Sequence, residues 1–141
     1  MDSTYQIVSV EEPEEEAWGI IGRGVSRYNR ERAGDNQFER LCFVVRGPGE
    51  VIYGGILGET YWGWLYIDLL WVDERLRGRG FGRRLMETVE EAARQNGAAH
   101  AYLDTFSFQA PDFYRRLGYR VFGQLPDFPP GQQRYFMTKT L

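Results

Sequence analysis

The chain has 141 residues, of which 43% are hydrophobic and 26% charged, with a formal net charge of −3 and a single cysteine. This length and composition are typical of one globular domain with its own core, and we expect a single domain over residues 1–141. The acidic charge disfavours nucleic-acid binding, and no apolar run approaches the roughly 20 residues of a membrane span. A single cysteine excludes an internal disulfide, and one cysteine together with one histidine cannot form a closed metal site. With no charged and then apolar leader at its start, the sequence predicts a cytoplasmic protein without a membrane partner.

The first half of the chain predicts one helix and three strands. Weak alternation over residues 4–10 indicates an edge strand, and the acidic run after it favours a helix over residues 14–29. We expect the apolar side chains of this helix to face inward: Trp18, Ile21, Val25 and Tyr28. Strands over 40–46 and 50–61 flank a Gly-Pro-Gly turn, with Cys42 packed in the core. Residues 64–72 form the predicted central strand.

The second half alternates between helices and strands. Residues 83–96 place Leu85, Met86, Val89, Ala92 and Ala93 on one helical face, and the glycine at position 97 ends the helix. A strand over 99–105, a short helix over 111–117 and strands over 120–123 and 134–138 follow, with a proline-containing loop at 125–133. Strands followed by strand-helix-strand units predict an α/β fold with a mixed central sheet of six to seven strands and helices on both faces.

The strongest motif is Arg77-Gly78-Arg79-Gly80-Phe81-Gly82, which lies between the central strand and the next helix. Glycines let the backbone approach a ligand closely, and the first N–H groups of a helix have no partners within it. The helix dipole adds about half a positive charge there, and nearby arginines add whole ones. These features predict a polyphosphate site, although an ordinary helix-capping turn is the structural alternative.

The spacing of the glycines narrows the choice of ligand. The only lysine is Lys139, so the P-loop pattern Gly-x4-Gly-Lys is absent, and the alternating glycines do not fit the dinucleotide pattern of a long parallel sheet. The remaining pattern, Arg-x-x-Gly-x-Gly after a strand, resembles the acetyl-CoA signature of the GNAT superfamily of N-acetyltransferases. Residues 110–119, Ala-Pro-Asp-Phe-Tyr-Arg-Arg-Leu-Gly-Tyr, resemble the second hallmark of that superfamily. The resemblance runs from about residue 43 to residue 119.

The resemblance implies how acetyl-CoA is held. Backbone N–H groups of about residues 79–83 would bind the pyrophosphate, and the pantetheine arm would pair with a strand edge that splays from its neighbour. The amide of Leu70 or Val72 would then donate to the oxyanion. The residues expected to bind acetyl-CoA are Leu70, Trp71, Val72, Arg77, Gly78, Arg79, Gly80, Phe81, Gly82 and Arg83.

Three side chains are candidates for the chemistry. Tyr114 lies where many GNAT enzymes carry the general acid. A phenol has a pKa of about 10 and a thiol a pKa of about 8.5, so a tyrosine can donate a proton to a departing thiolate and still be protonated at neutral pH. Its alternative role is core packing. Asp68 lies in an apolar strand, where burial would raise its pKa and suit it to act as a base through a water; a structural hydrogen bond is equally compatible. Ser107 stands where many members carry an asparagine that bonds the pantetheine or a catalytic water, and Gln109 is a second candidate.

The acceptor is predicted to be the primary amine of a small molecule or a peptide. Aromatic residues near the central strands are either core or an acceptor groove that holds an alkylammonium by cation–π contact: Tyr61, Trp62, Trp64, Tyr66, Phe106 and Phe108. The loop at 125–133 is a candidate cover. A non-catalytic acetyl-CoA sensor is the rival reading, and a homodimer through the final strands is an open alternative.

Overall fold

The computed structural model describes residues 4–11 and 15–141. These residues form two compact units, and the boundary along the chain lies between residues 36 and 37. In the first unit, α1 runs Glu15–Ala33. It ends where Gly34 adopts a φ of 81°, a left-handed conformation that favours glycine. Position 14, where the sequence predicts this helix to begin, lies outside the described residues. Residues 4–11 form no strand, so that prediction is wrong.

The apolar side chains of α1 are exposed. Trp18 is 67% exposed and Ile21 is 68% exposed, and Val25 and Tyr28 are each more than half exposed. The prediction that these residues face inward is therefore wrong. Among the described residues, no helix is both long and apolar enough to cross a bilayer.

The second unit contains a six-stranded mixed sheet. Its strands are β1 (Glu39–Arg46), β2 (Ile52–Tyr61), β3 (Trp64–Val72), β4 (His100–Phe106), β5 (Arg120–Pro126) and β6 (Gln133–Thr140). The strand order is β1-β2-β3-β4-β6-β5. Only the β3–β4 pair is parallel, because a helix crosses over between those two strands. The predicted mixed α/β sheet is confirmed, with six strands.

Two helices complete this unit: α2 (Phe81–Gln95) and α3 (Pro111–Arg116). The apolar stripe of α2 packs on one face of the sheet, and it carries Leu85, Met86, Val89 and Ala93. From the sheet, the fully buried partners include Ile56, Leu65, Leu103 and Met137. This core fixes where α2 begins, and therefore where its uncapped N–H groups point.

Cys42 is exposed, and the prediction that it packs in the core is wrong. In β1, Leu41, Phe43 and Val45 pack against the core, so the alternation of side chains along a strand puts Cys42 on the other face. The apolar run from Leu41 to Val45 hid this alternation, because both faces carry apolar residues.

Candidate active site

A cleft of about 780 Å³ opens where β3 separates from β4 and α2 begins. The segment between β4 and α3 forms its other wall. The residues that line the cleft come from β3, the glycine-rich loop, α2, β4, the β4–α3 segment and α3: Asp68, Leu69, Leu70, Trp71, Val72, Leu76, Arg77, Gly78, Gly80, Phe81, Gly82, Arg83, Asp104, Thr105, Phe108, Gln109, Ala110, Phe113 and Tyr114. The cleft therefore collects both sequence motifs, although about thirty residues separate them along the chain.

The separation of β3 from β4 provides an unpaired backbone edge. The parallel pairing ends at Ile67 and Leu103, whereas β3 continues to Val72. On its other side β3 stays paired with β2, and the Asp73 N–H donates to the Tyr53 carbonyl at 2.8 Å. Because successive N–H groups along a strand point to opposite edges, the amides of Leu70 and Val72 point toward the cleft. These are the two amides that the resemblance implies as oxyanion donors.

A β-bulge lies at the point of separation. Leu57 of β2 pairs with Leu69, and the next residue, Gly58, pairs with Ile67, so Asp68 is the extra residue on β3. The bulge shifts the alternation by one, so that Leu65 and Ile67 before it and Leu70 and Val72 after it all pack toward the core. The sequence pattern alone did not indicate this shift.

The glycine-rich loop presents backbone to the cleft. Gly78 and Gly80 have φ angles of 77° and 84°, which L side chains rarely adopt. A Cβ atom built on either glycine would meet no atom within 4 Å, so both face open space. Gly80 is the N-cap of α2 and no side chain caps this helix, so the first N–H groups of α2 are available to an anion.

Side chains around the loop hold its shape. The Arg77 Nε atom donates to the Val72 carbonyl at 3.0 Å, which ties the loop back to the end of β3. Arg83 pairs with Glu87 at 2.9 Å. Of the ten residues predicted to bind acetyl-CoA, nine line the cleft, and Arg79 is not in its lining.

Tyr114 lies in α3 and lines the cleft. Its ring packs edge-on against Phe113 and Tyr119, with centroid distances of 5.1 and 6.2 Å. Burial, with a further contribution from the negative charge of Asp104, raises the pKa of Tyr114 to about 12. The phenol is therefore fully protonated at neutral pH and able to donate a proton.

Asp68 lines the cleft, but its side chain is exposed. The expectation that the central strand buries this carboxylate is wrong, because the bulge and the separation of β4 open the sheet at this residue. The prediction that Asp68 acts as a base through water therefore rests on its position in the cleft and its access to solvent.

Ser107 does not line the cleft. Its hydroxyl donates to the Gln132 Oε1 atom at 2.6 Å and accepts from the Gln133 N–H at 3.0 Å, so both capacities are used in tying the β4–α3 segment to β6. Gln109 does line the cleft. Its Oε1 atom accepts from the Phe106 N–H at 2.8 Å and from the Thr105 hydroxyl at 3.2 Å, which leaves the amide NH2 as its remaining donor group.

Asp104 is a cleft residue that the sequence reasoning missed. It occupies the position in β4 that Asp68 occupies in β3, directly after the last paired residues, so two carboxylates flank the opening. Arg134 binds Asp104 at 2.7 Å, and the guanidinium lies 5.0 to 5.6 Å from the ring centres of three phenylalanines: Phe106, Phe128 and Phe136. Alternation along β4 was the signal available for finding it, since Tyr102, Asp104 and Phe106 share a face.

The aromatic residues considered for an acceptor groove divide into two groups. Only Phe108 lines the cleft, and it stacks on Phe106 with a centroid distance of 5.4 Å. Tyr66 stacks on Tyr102 at 4.9 Å, and the Tyr102 hydroxyl lies 2.7 Å from that of Tyr61. These tyrosines lie on the face of the sheet opposite α2, outside the cleft lining. The loop at 125–133 contacts Phe106 through Phe128 but is absent from the lining.

Comparison with known proteins supports what the geometry suggests. A sequence model of the acetyltransferase (GNAT) family matches residues 3–119. The chain is 45% identical over 89 residues to the blasticidin-S acetyltransferase of Streptomyces morookaense, a match that spans 62% of this chain and 65% of that protein. Its fold matches the crystal structure of an acetyltransferase from Bacillus cereus with a TM-score of 0.85 and 36% identity, covering 95% of this chain and 98% of the other.

A more distant structure carries a ligand. An aminoglycoside 6'-N-acetyltransferase solved with coenzyme A matches with a TM-score of 0.64 and 20% identity, over 72% of this chain and 73% of that chain, which shows the shared fold alone. The family model covers well over half of the chain, and the cleft carries both of the motifs that suggested the family. The chain therefore belongs to the GNAT family of acetyltransferases.

Proposed function

We propose that the protein is an acetyl-CoA-dependent N-acetyltransferase that moves an acetyl group to a primary amine by direct attack. One observation carries the proposal: the free edge of β3, the uncapped start of α2 and Tyr114 all face one cleft. This arrangement fits acetyl-CoA, because the α2 N–H groups suit a pyrophosphate and the strand edge suits the amides of a pantetheine arm. When bound, acetyl-CoA supplies the activated acetyl group.

In this proposal, three parts of the chain perform the transfer. Asp68 accepts, through a water, the proton that the ammonium group loses before attack. The amide of Leu70 or Val72 donates to the oxyanion of the tetrahedral intermediate. Tyr114 donates its proton to the sulfur as the carbon–sulfur bond breaks, and the second proton of the acetylated nitrogen returns through water to the Tyr114 oxygen. The products are an acetamide and a free thiol, and Tyr114 is again a phenol.

The acceptor in this proposal is a cationic amine. Asp68 places an exposed carboxylate in the lining of the cleft, which the exposed Phe108 ring also lines, whereas the Asp104 carboxylate is paired with Arg134. Negative charge attracts an ammonium group, and an aromatic face adds cation–π attraction. The name of the blasticidin-S acetyltransferase supports a small-molecule acceptor, and a peptide amine is the second class to test.

A cytoplasmic location and a homodimer belong to the proposal as well.

Initial-rate kinetics test the direct attack. Varying acetyl-CoA at several amine concentrations should give intersecting double-reciprocal lines, because both substrates must be bound together. Parallel lines would indicate an acetyl-enzyme and would contradict direct attack. The Cys42→Ala variant is the matched control for an acetylated cysteine. Cys42 is the only cysteine in the sequence and lies on β1, outside the cleft lining, so we expect unchanged rates.

Calorimetry separates the proposal from the rival reading of an acetyl-CoA sensor. Titration of acetyl-CoA should release heat, and the addition of an accepted amine should then release free thiol. Binding without thiol release for any small-molecule or peptide amine would favour the sensor. Absence of binding would mean that the cleft has been misinterpreted.

A further inference from the structure

A buried ion pair and the tyrosine that packs against Tyr114 lie outside the cleft lining, and the proposed chemistry does not use them directly. Glu90 of α2 is only 4% exposed. Its Oε1 and Oε2 atoms accept from the Lys139 Nζ atom at 2.9 and 3.1 Å, and its Oε2 atom accepts from the Tyr119 hydroxyl at 2.7 Å. We call these three residues the Glu90 triad. Lys139 is the only lysine in the chain.

The Glu90 triad joins three elements of the second unit. Glu90 comes from α2, Tyr119 from the turn between α3 and β5, and Lys139 from β6. Lys139 also lies over the Tyr119 ring, with its Nζ atom 5.4 Å from the ring centre. A buried charge is strongly unfavourable unless it is paired and hydrogen-bonded, so these three side chains favour one relative arrangement of the elements.

Tyr119 connects the triad to Tyr114. Its N–H donates to the Tyr114 carbonyl at 3.0 Å, and the two rings pack edge-on with their centres 6.2 Å apart and their planes at 76°. α3 has only six residues, too few to hold its own position in water. The Tyr119 contacts therefore supply orientation that α3 does not supply itself.

We propose that the Glu90 triad positions Tyr114 for proton donation, so that Glu90, Tyr119 and Lys139 are positioning residues of the acetyl transfer. This inference rests on the proposed function, in which Tyr114 protonates the departing sulfur. Tyr119 fixes the Tyr114 ring through backbone and ring contacts, and Glu90 with Lys139 fixes Tyr119 through its hydroxyl. None of the three residues lines the cleft, so their effect on turnover passes through Tyr114.

A double-mutant cycle tests the inference with Tyr119→Phe, which removes only the hydroxyl, and Tyr114→Phe. We expect Tyr119→Phe to lower kcat on the order of 10-fold with an unchanged Kd for acetyl-CoA, because a small misplacement of a catalytic group is costly. In the Tyr114→Phe background, Tyr119→Phe should lower kcat no further, since residues that act as a unit are not additive. An equal loss in both backgrounds, or no loss in the wild-type background, would overturn the inference.

Two further variants keep the test decisive. Tyr102→Phe removes another hydrogen-bonded tyrosine hydroxyl, on the opposite face of the sheet, and should leave kcat unchanged. If Tyr119→Phe does not fold, as judged by acetyl-CoA binding, Glu90→Gln enters the same cycle with the same expectation. If Tyr114→Phe has wild-type kcat, the general-acid role fails and the inference fails with it. If Tyr114→Phe lowers kcat but neither triad variant does, only the inference fails.

Discussion

At the scale of single residues, the cleft separates two kinds of titratable group. Tyr114 is largely withdrawn from water, and burial raises its pKa to about 12, whereas Asp68 is exposed at a β-bulge. The cleft is thus lined by both a protonated phenol and a solvent-accessible carboxylate. Sequence reasoning found Tyr114 through the second GNAT motif and Asp68 as a charged residue in an apolar strand. It expected Asp68 to be buried, because a bulge has no signature in an apolar run.

Removing the Tyr114 hydroxyl should reduce turnover. We expect Tyr114→Phe to lower kcat by about 10²- to 10⁴-fold, the usual contribution of a general acid, with little change in acetyl-CoA affinity. Since the phenol has a raised pKa, it stays protonated as the pH rises, so wild-type kcat should show no alkaline decline below about pH 11. A kcat of Tyr114→Phe equal to that of the wild type would contradict the general-acid role. A decline between pH 8 and 9 that Tyr114→Phe abolishes would contradict the raised pKa of Tyr114.

Neutralising Asp68 should change the pH profile and not only the rate. We expect Asp68→Asn to lower kcat/KM for the amine. The decrease of kcat/KM at low pH that comes from protonation of this base should also disappear. Ser107→Ala is the control, since that hydroxyl lies outside the cleft lining and bonds to Gln132 and Gln133. An unchanged profile for Asp68→Asn would remove Asp68 from the mechanism and leave it a structural role.

At the scale of elements, the cleft results from three local features. The pairing of β3 with β4 stops before either strand ends, α2 begins without a side-chain cap, and α3 lies against the start of α2. The last contact is close: a Cβ atom on Gly82 would lie 3.3 Å from the Phe113 ring. The sequence predicted β3 with its observed bounds and placed the start of α2 two residues late, because Phe81 and Gly82 resemble the loop more than the helix.

The glycine loop can be tested against a glycine of the same conformation. Gly80 and Gly97 both have positive φ, 84° and 87°, and a Cβ on either would meet no atom within 4 Å. The substitutions Gly80→Ala and Gly97→Ala should therefore each cost about 1 to 2 kcal/mol of stability. Only Gly80→Ala should also raise the Kd for acetyl-CoA, because only Gly80 lies at the anion site. Equal acetyl-CoA affinity in the two variants would argue against that site.

At the scale of the whole molecule, one hydrophobic core packs α2 against the sheet next to the cleft. The strands that separate at the cleft are the strands whose other halves are most deeply buried, with Leu65, Ile67, Ala101 and Leu103 all at 3% exposure or less. This core was predictable from periodicity in α2 and from the apolar strands. The exposure of the apolar side chains of α1 was not predictable. An apolar stripe on a helix indicates which face is suited to burial, but it does not indicate what buries that face.

The core can be tested with a matched pair of leucines. Leu103 is 1% exposed and Leu125 is 43% exposed. We expect Leu103→Ala to lower the free energy of unfolding by about 2 to 5 kcal/mol, measured by urea denaturation, because it leaves a cavity. Leu125→Ala should cost clearly less. Acetyl-CoA at saturating concentration should raise the Tm of both variants if each retains the cleft. Similar losses for the two leucines would contradict the proposed core.

The most direct test of the account is amine-dependent release of free thiol from acetyl-CoA, with the product identified by mass spectrometry. The account predicts that cationic primary amines increase thiol release above the hydrolysis seen without amine, that each accepted amine gains one acetyl group, and that Tyr114→Phe loses most of this rate while still binding acetyl-CoA. Thiol release that no amine stimulates, from a protein that binds acetyl-CoA, would contradict it.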